Sequence, residues 1–324
     1  MCDYEVFTVV SIPNKPNSKY MERYLYGITL RNDGIIIITD SNNGEILGVN
    51  PNNGNIFNIV STTDESEETL GHLYDAIVTR DDGTIIVATT TNKIIGIDTN
   101  GHQFIIAGTG ETGDKDGPVN EATFNCPRGI AMRDDGTIIV SDSSNNKIRG
   151  ILQDGTVITI AGTGKPGNKD GPGNEATFKF PSGIAIKYDG TIIVADTLNN
   201  KIRGIDLNGN VHTIAGCGFR EDRVGSGAEA GFNYPLDVSI RNDETILVSD
   251  SHNNRIKSID MDGNVSNVAG SRQLGDKDGL GNESLFDCPC GITIGNDDKI
   301  FVLDTYNHKI KEIRPKLLVK SAIE

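Results

Sequence analysis

The sequence repeats one short segment at a fixed interval, and this regularity constrains the fold more than any other feature. Four clear copies occur, at Ile139–Arg149, Ile193–Arg203, Leu247–Lys257 and 302–311. The aspartates within them follow one another at steps of 54 residues: Asp142, Asp196, Asp250 and Asp304. Weaker copies at 39–46 and 88–94 bring the number of units to six. A constant period of this size predicts a repeat architecture, in which each unit packs on its neighbours.

Each unit contains four short apolar runs separated by turn residues. In the third unit these runs, called strands a to d here, are Gly129–Arg133, Thr137–Ser141, Lys147–Leu152 and Thr156–Ala161. Strand b is β-branched and apolar, as expected of a strand that is buried on both faces. Asp154-Gly155 between strands c and d predicts a hairpin, because a type I′ turn needs positive φ at both central positions.

Four-stranded antiparallel units repeated head to tail predict an all-β fold, a six-bladed β-propeller of four-stranded antiparallel blades. The sixth unit stops after strand c, whereas an unassigned strand at 4–10 precedes the first strand a. Adding that strand to the last blade closes the ring and removes open sheet edges. We therefore expect one domain over residues 1–324, with a closing strand at about 4–10 and a tail at 315–324, and with blades that begin near residues 25, 74, 127, 181, 235 and 289.

Charge and cysteine content exclude several classes of function. The chain has 30 Lys and Arg against 45 Asp and Glu, a net charge of -15. Nucleic acids and anionic membranes both need a positive surface, so neither is an expected partner. The first residues lack a signal-peptide pattern, and no apolar run is long enough to span a bilayer. Five scattered cysteines argue against a disulfide framework. We expect a soluble, intracellular protein, cytoplasmic and monomeric.

Longer motifs in the fourth unit resemble the NHL-repeat family. They are the Pro-x-Gly-Ile-Ala of Pro181–Ala185, the Val-Ala-Asp-Thr-x-Asn-Asn-Lys-Ile-Arg of Val194–Arg203, and the Gly-rich segment with Ala-x-Phe at Asp170–Phe178. The resemblance covers nearly the whole chain and is strongest in units three, four and six. Unit five has Asp237 in place of the leading glycine of strand a, unit two has Thr89 in place of the repeated aspartate, and units one and two lack the Phe segment.

The repeated polar residues are interpreted as scaffold. An Asp at a strand end can accept hydrogen bonds from backbone N–H groups two residues further on, which fixes a turn. The Asn pairs that follow, such as Asn145 and Asn146, suit the same turn. Lys147 and Arg149 share one side of strand c, where they can pair with carboxylates.

Function is expected where the repeats differ. The b-to-c turns and the d-to-a connections emerge on one face, which we call the loop-rich face; it includes the loops at 61–68 and 216–234. The residue before the leading glycine of each strand a should ring the mouth of the central channel, because it occupies the same position in every blade. These six residues differ in type, as an asymmetric ligand requires: Tyr26, Asp75, Arg128, Ser182, Leu236 and Cys290. Asp237 at the glycine position, and His252 and Tyr306 in the b-to-c turns, complete the candidate ligand-binding set.

A metal site could be assembled from His252, His308 and the Cys288-Pro289-Cys290 segment, but their spacing matches no recognised ligand pattern. Cys288 aligns with Cys126, Phe180 and Tyr234 at one shared position of the repeat. We interpret that position as a packing site, with Cys288 as an inert buried thiol.

Two classes of function remain open. The first is a non-catalytic scaffold that presents the loop-rich face and channel mouth to a protein, a peptide or a small ligand, as NHL propellers commonly do. The alternative, implied by resemblance to propeller lyases and lactonases, is an enzyme with Ca²⁺ or Zn²⁺ in the central channel; the ring offers Asp75 and Asp237 to an ion, but no His or Glu. RNA binding ranks last, because the loop at 61–74 is acidic and has no Lys or Arg.

Overall fold

Strand pairing closes the chain into a six-bladed β-propeller. The structure is a computed structural model that describes residues 4–14, 22–60, 74–295 and 297–316. Six antiparallel sheets follow one another around a central channel. In the first five blades strands a to d pair in chain order from the inner strand outward, whereas the first strand of the chain takes the place of strand d in the last blade. The predicted fold class is confirmed. Across the described ranges, no helix has both the length and the apolar character needed to cross a bilayer.

The strand boundaries follow the repeat. Before and within blades one and two, the strands are β1 (Tyr4–Ser11), β2 (Leu25–Leu30), β3 (Ile36–Asp40), β4 (Glu45–Val49), β5 (Ile56–Val60), β6 (Tyr74–Thr79), β7 (Ile85–Thr89), β8 (Ile94–Ile97) and β9 (Gln103–Ala107). Blades three and four contain β10 (Gly117–Pro118), β11 (Pro127–Met132), β12 (Ile138–Asp142), β13 (Lys147–Ile151), β14 (Thr156–Ala161), β15 (Gly171–Pro172), β16 (Pro181–Ile186), β17 (Ile192–Asp196), β18 (Lys201–Ile205) and β19 (Asn210–Ala215).

Blades five and six contain β20 (Gly225–Ser226), β21 (Pro235–Ile240), β22 (Ile246–Asp250), β23 (Arg255–Ile259), β24 (Asn264–Ala269), β25 (Gly279–Leu280), β26 (Pro289–Ile294), β27 (Ile300–Asp304) and β28 (Lys309–Pro315). Short 3-10 turns join strands b and c in the last four blades, at Ser143–Asn145, Thr197–Asn199, Ser251–Asn253 and Thr305–Asn307. Of the predicted tail at 315–324, residues 317–324 lie outside the described residues.

Four blades contain a fifth strand, which the sequence did not indicate. The d-to-a connection that precedes blade four runs around the outside of the ring, where β15 pairs with β19. The strands β10, β20 and β25 do the same in blades three, five and six. These connections were expected to lie on the loop-rich face, and for their middle portions that expectation is wrong, because backbone pairing holds them at the outer edge. The predicted loop at 61–68 lies outside the described residues.

The first strand closes the ring, as predicted. Strand β1 pairs antiparallel with β28 along its length, so that Val6 lies opposite Ile313. The side chain of Val6 is fully buried and belongs to the apolar cluster of the last blade. On its other side β1 pairs with β25. The last blade therefore combines the first strand of the chain with the final three strands of the repeat.

The apolar core lies between adjacent blades. Every residue of strand b in blades three and four is buried, which explains why each strand begins with three apolar β-branched residues before it ends in Ser-Asp or Ala-Asp. One cluster joins Ile139 and Ile148 of blade three to Ile184 and Val194 of blade four. Each blade thus buries one face against the blade before it and the other against the blade after it, as a closed ring of repeats requires.

The repeated aspartates anchor buried ion pairs. In blade three Asp142 accepts a hydrogen bond of 2.8 Å from the Arg149 guanidinium, and both side chains are fully buried. The same carboxylate accepts from the side-chain amide of Asn145. Its backbone partner is the N–H of Asn125, 17 residues earlier, so the expected bond to a residue two positions further on is wrong. The predicted structural role of these residues is confirmed, but the aspartate joins strand b to the preceding connection.

Candidate functional site

The central channel contains a cavity of about 250 Å³ whose wall is formed by the six a strands. Five of the six predicted ring residues are in the lining, and we use the term channel mouth for the group Tyr26, Asp75, Arg128, Leu236 and Cys290. Ser182 is fully buried and absent from the lining, where its neighbour Gly183 stands instead. The short Ser182 side chain ends inside the wall, so the structure does not place it with the other five.

An aromatic and cationic stack occupies one side of the channel mouth. The guanidinium carbon of Arg128 lies 5.5 Å from the centre of the Tyr26 ring and 5.0 Å from that of Phe180. Both distances lie within the range of cation–π attraction. The Nε atom of Arg128 also lies 3.6 Å from Asp75 Oδ2, so an ion pair joins blades two and three at the cavity wall.

Three buried polar atoms of this group have no hydrogen-bond partner within the described part of the chain. They are the Tyr26 hydroxyl, Asp75 Oδ2 and Arg128 Nε. Buried polar groups in proteins are nearly always paired, and an unpaired one costs about 1–3 kcal/mol. Their convergence from three different blades therefore marks a place where a donor and acceptor group from outside the chain would be stabilised.

Burial raises the pKa of both carboxyl groups in the channel wall. Desolvation raises the pKa of Asp75 to about 6, against the lowering effect of Arg128. Desolvation also raises the pKa of Asp237 to about 7, although its two oxygens accept hydrogen bonds from the N–H groups of Ile292 and Val238. Both groups can therefore change protonation state close to neutral pH.

Asp237 occupies a place where the other blades need a very small residue. A Cβ added to Gly129 would lie 2.0 Å from the Ser182 carbonyl oxygen, so adjacent inner strands leave no room there for a side chain. In blade five the Asp237 side chain instead reaches β26, with Oδ2 at 3.0 Å from the Ile292 nitrogen. Asp237 therefore bridges two inner strands at the cavity wall.

The opposite side of the channel mouth is apolar. Tyr26, Leu236 and Cys290 form one buried cluster, against which Tyr24, Tyr234 and Cys288 pack. The rings of Tyr24 and Tyr26 stack with their centres 6.1 Å apart. The channel mouth therefore presents a polar side and an aromatic side to the same cavity.

His252 and Tyr306 lie on the loop-rich face and not in the cavity lining. The His252 ring stacks on Tyr234 at 4.4 Å with only 7° between the planes. Burial, and secondarily the charge of Arg220, lowers the pKa of His252. Tyr306 is 56% exposed, and its ring centre is 6.3 Å from that of Tyr24. Each of these two residues thus contacts an aromatic residue at the rim of the channel mouth.

Sequence reasoning missed the residues that precede the strand a prolines. Phe180 and Tyr234 were assigned to a simple packing position, yet both adopt positive φ and bring their rings to the channel mouth. Cys288 shares this conformation and packs against the cluster at the channel mouth, but it is half-buried and not fully buried as expected; the inertness of its thiol stays a prediction. The available signal was the asparagine 34 residues earlier, whose side chain accepts from this backbone N–H in blades three to six, as Asn146 does from Phe180.

The channel wall offers an ion few ligands. Within the described ranges, no three His, Cys, Asp or Glu side chains lie close enough together to hold a metal ion. Asp75 and Asp237 both line the cavity, but each is committed to contacts with the protein.

Comparisons with known proteins agree with this architecture. A family model described as NHL repeat matches residues 124–151, which contain strands a to c of blade three and the end of its lead-in connection. NHL repeat-containing protein 2 from Bos taurus is 28% identical over 280 residues, an alignment that covers 72% of this chain and 38% of that protein. The match therefore spans well under half of the relative's length.

Two solved structures share the fold. A protein of unknown function from Bacteroides thetaiotaomicron superposes with a TM-score of 0.74 at 14% identity, covering 97% of this chain and 76% of that one. A gluconolactonase from Xanthomonas campestris gives a TM-score of 0.67 at 12% identity, covering 97% and 90%. Identities this low show a common fold alone. The repeats, the blades and the matched family model lead to one conclusion: the chain is a six-bladed β-propeller that contains an NHL repeat at residues 124–151 and is similar to NHL repeat-containing proteins.

Proposed function

We propose that this propeller is a non-catalytic binding module that holds a small polar ligand, or a polar side chain of a peptide or protein partner, at the channel mouth. The observation that supports it is that the Tyr26 hydroxyl, Asp75 Oδ2 and Arg128 Nε make no hydrogen bond within the described residues, although the last two atoms form an ion pair at 3.6 Å. A ligand with an acceptor for Arg128 and Tyr26, and a donor for Asp75, would satisfy all three. The cavity of about 250 Å³ suits a small ligand with these few polar groups.

The stack around Arg128 supports recognition of a planar acceptor. A guanidinium held between two rings is fixed in orientation, so little conformational freedom is lost when it forms a hydrogen bond. The neighbouring carboxylate of Asp75, at 3.6 Å, balances the positive charge. We therefore expect neutral or zwitterionic ligands, such as amides, amino acids or sugars, to bind more tightly than anions.

Exposed apolar side chains on the loop-rich face support a peptide or protein as the partner that supplies the polar group to the channel mouth. Phe219 is 71% exposed and Leu274 is 67% exposed, both on connections beside the b-to-c turns. The side chain of Asn307, next to Tyr306, donates to the Gly275 carbonyl, so Leu274 and Tyr306 lie close together. A partner that inserts a polar residue into the channel mouth would cover these apolar groups.

The enzyme alternative rests on Asp75 and Asp237, whose raised pKa values are of the kind that acid–base catalysts have. The residues present do not fit a divalent ion of the lactonase or lyase type, because the described part of the chain lacks a group of three ligands. Metal analysis of protein purified without chelator tests this alternative. One tightly held Ca²⁺ or Zn²⁺ per chain would favour the enzyme over the binding module.

The binding proposal is tested with a library of polar amides, amino acids and sugars, screened against the chain by saturation-transfer NMR. Binders of the natural sequence should lose most of their signal with Arg128→Met and part of it with Asp75→Asn. The control is Tyr188→Ser, because Tyr188 is 97% exposed on the a-to-b turn of blade four, at the other end of the channel. Binders that keep full signal with Arg128→Met would contradict the proposal.

A further inference from the structure

Two cysteines stand side by side at the channel mouth. The Sγ atoms of Cys288 and Cys290 lie 3.9 Å apart, and both cysteines are unpaired thiols. We infer that Cys288 and Cys290 form a thiol–disulfide exchange site, which reacts with small disulfides of the glutathione class and closes to an intramolecular disulfide. This inference concerns a site and a chemistry that the proposed binding function does not require.

The backbone around the two thiols is held at each residue. The Cys288 N–H donates to Asn254 Oδ1 at 3.0 Å. The carbonyl oxygens of Pro289 and Cys290 each accept a hydrogen bond of 2.6 Å, from Ser251 and Ser249 respectively. The segment is therefore fixed with both sulfurs on one side of the proline. A movement of about 2 Å by the sulfurs brings them from 3.9 Å to bonding distance.

The two sulfurs differ in access to solvent. Cys288 is half-buried, whereas Cys290 is only 1% exposed. A small disulfide from solution can therefore reach Cys288 first. Cys290, whose Sγ lies beside that of Cys288, can then attack the mixed disulfide on Cys288. Nucleophilic and resolving cysteines of redox-active pairs have this division of access.

The electrostatic environment supports the same division. The hydrogen bond between the two thiols lowers the pKa of the Cys288 thiol below its ordinary value. That hydrogen bond, together with burial, raises the pKa of the Cys290 thiol. The thiolate is the attacking species in disulfide exchange, so the more accessible sulfur is also the one more readily ionised.

The exchange balances without any further reactant. The Cys288 thiolate attacks one sulfur of the small disulfide, whose S–S bond breaks and releases one thiolate. Cys290 then attacks Cys288 Sγ and expels the second small thiolate. One released thiolate takes the proton of Cys290, and the other takes the proton that Cys288 gave up when it ionised. Two protein thiols are oxidised to one disulfide, and one small disulfide is reduced to two thiols.

Blade three supplies a natural control for this chemistry. Cys126 stands at the position of Cys288, with φ of 52° against 51°, and its N–H also donates to an asparagine side chain. Two residues further on, however, blade three has Arg128 in place of a second cysteine. Cys126 thus shares the turn of Cys288 but has no resolving thiol beside it.

The test treats the folded, reduced chain with oxidised glutathione, blocks remaining thiols by alkylation and analyses peptides by mass spectrometry. The peptide with Cys288 and Cys290 should lose two hydrogens and carry no glutathione, whereas any glutathione on Cys126 should remain. With Cys290→Ser, Cys288 should keep its glutathione. With Cys288→Ser, Cys290 should stay unmodified.

Three results would overturn the inference: stable glutathione on Cys288 of the natural sequence, free thiols at both positions after treatment, or a disulfide from either cysteine to a third one. The measurement on the natural sequence does not depend on the folding of the variants. A second reading comes from a trivalent arsenical, which bridges paired thiols. It should protect Cys288 and Cys290 from alkylation and leave Cys126 exposed to it.

Discussion

The hydroxyl of Thr305 in the last blade donates a hydrogen bond of 2.9 Å to the carbonyl oxygen of Leu25 in the first blade. Thr197 makes the same contact from blade four to Pro235 of blade five, at 2.8 Å. Both threonines are fully buried. The junction that closes the ring is thus built like a junction between two blades that are consecutive in the chain.

Replacing Thr305 by Val should therefore destabilise the fold as much as replacing Thr197. Either change leaves a buried carbonyl oxygen unpaired, so we expect a loss of about 1–3 kcal/mol in the free energy of unfolding. Urea denaturation of the two variants measures the loss. A cost for Thr197→Val with no cost for Thr305→Val would show that the first and last blades are not in contact.

The closing strand depends on Val6, whose side chain is fully buried against the last blade. Val6→Asp should lower the free energy of unfolding by more than about 3 kcal/mol, because a charge would be buried without a partner. Ser11→Asp is the matched control, since Ser11 is exposed at the end of the same strand. Thermal unfolding followed by circular dichroism compares the two. Equal melting temperatures would mean that β1 does not pack on β28.

Arg203 should be replaceable by Lys but not by Met. Its guanidinium lies 2.7 Å from the buried Asp196 carboxylate, which Arg203→Met would leave without its positive partner, at a cost of about 3–5 kcal/mol. In blade five Lys257 occupies the matching position and lies 2.8 Å from Asp250. Arg203→Lys should therefore cost only about 1 kcal/mol, the value of a hydrogen bond. Equal losses for Lys and Met, measured by urea denaturation, would contradict the importance of the ion pair.

Asp237→Gly should change how stability depends on pH. Folding raises the pKa of Asp237 from 3.8 to about 7, so between these values the folded chain binds more protons than the unfolded chain. The stabilisation that Asp237 contributes is therefore fully present below its pKa in the unfolded chain. It is lost as pH rises through its pKa in the folded chain. The slope is at most about 1.4 kcal/mol per pH unit.

The glycine variant lacks the pH-dependent stabilisation that Asp237 provides. Its free energy of unfolding relative to that of the natural sequence should therefore increase from about pH 5 to about pH 8. Urea midpoints at several pH values measure the trend. Asp134→Gly removes the same formal charge from an exposed turn and is the matched control. If the difference for Asp237→Gly follows that of the control at every pH, folding does not raise the pKa of Asp237.

Most of the fold could be predicted because local and global signals agree. The apolar b strands, the Asp-Gly turns and the step between aspartates each indicate the same unit. The fifth strands could not be predicted, since a pair such as Gly171–Pro172 is too short to show a strand pattern and joins the sheet only through β19.

The part of the candidate site that depends on equivalent positions of the repeat could be predicted from the sequence. Equivalent positions in the repeat led to five lining residues, because each blade repeats the path of its neighbour. The contact of Phe180 with Arg128 and the short distance between Cys288 and Cys290 depend on side-chain directions after a positive φ, which no spacing in the sequence reveals.

The pairing of β1 with β28 has a consequence for biosynthesis. The ribosome makes Tyr4–Ser11 before Lys309–Pro315, so β1 waits on the order of tens of seconds before its partner strand has been made. Throughout that interval the apolar side of the segment, with Val6 at its centre, is available to other polypeptides. We therefore expect β1 to benefit from shielding by a ribosome-associated chaperone until β28 has been made.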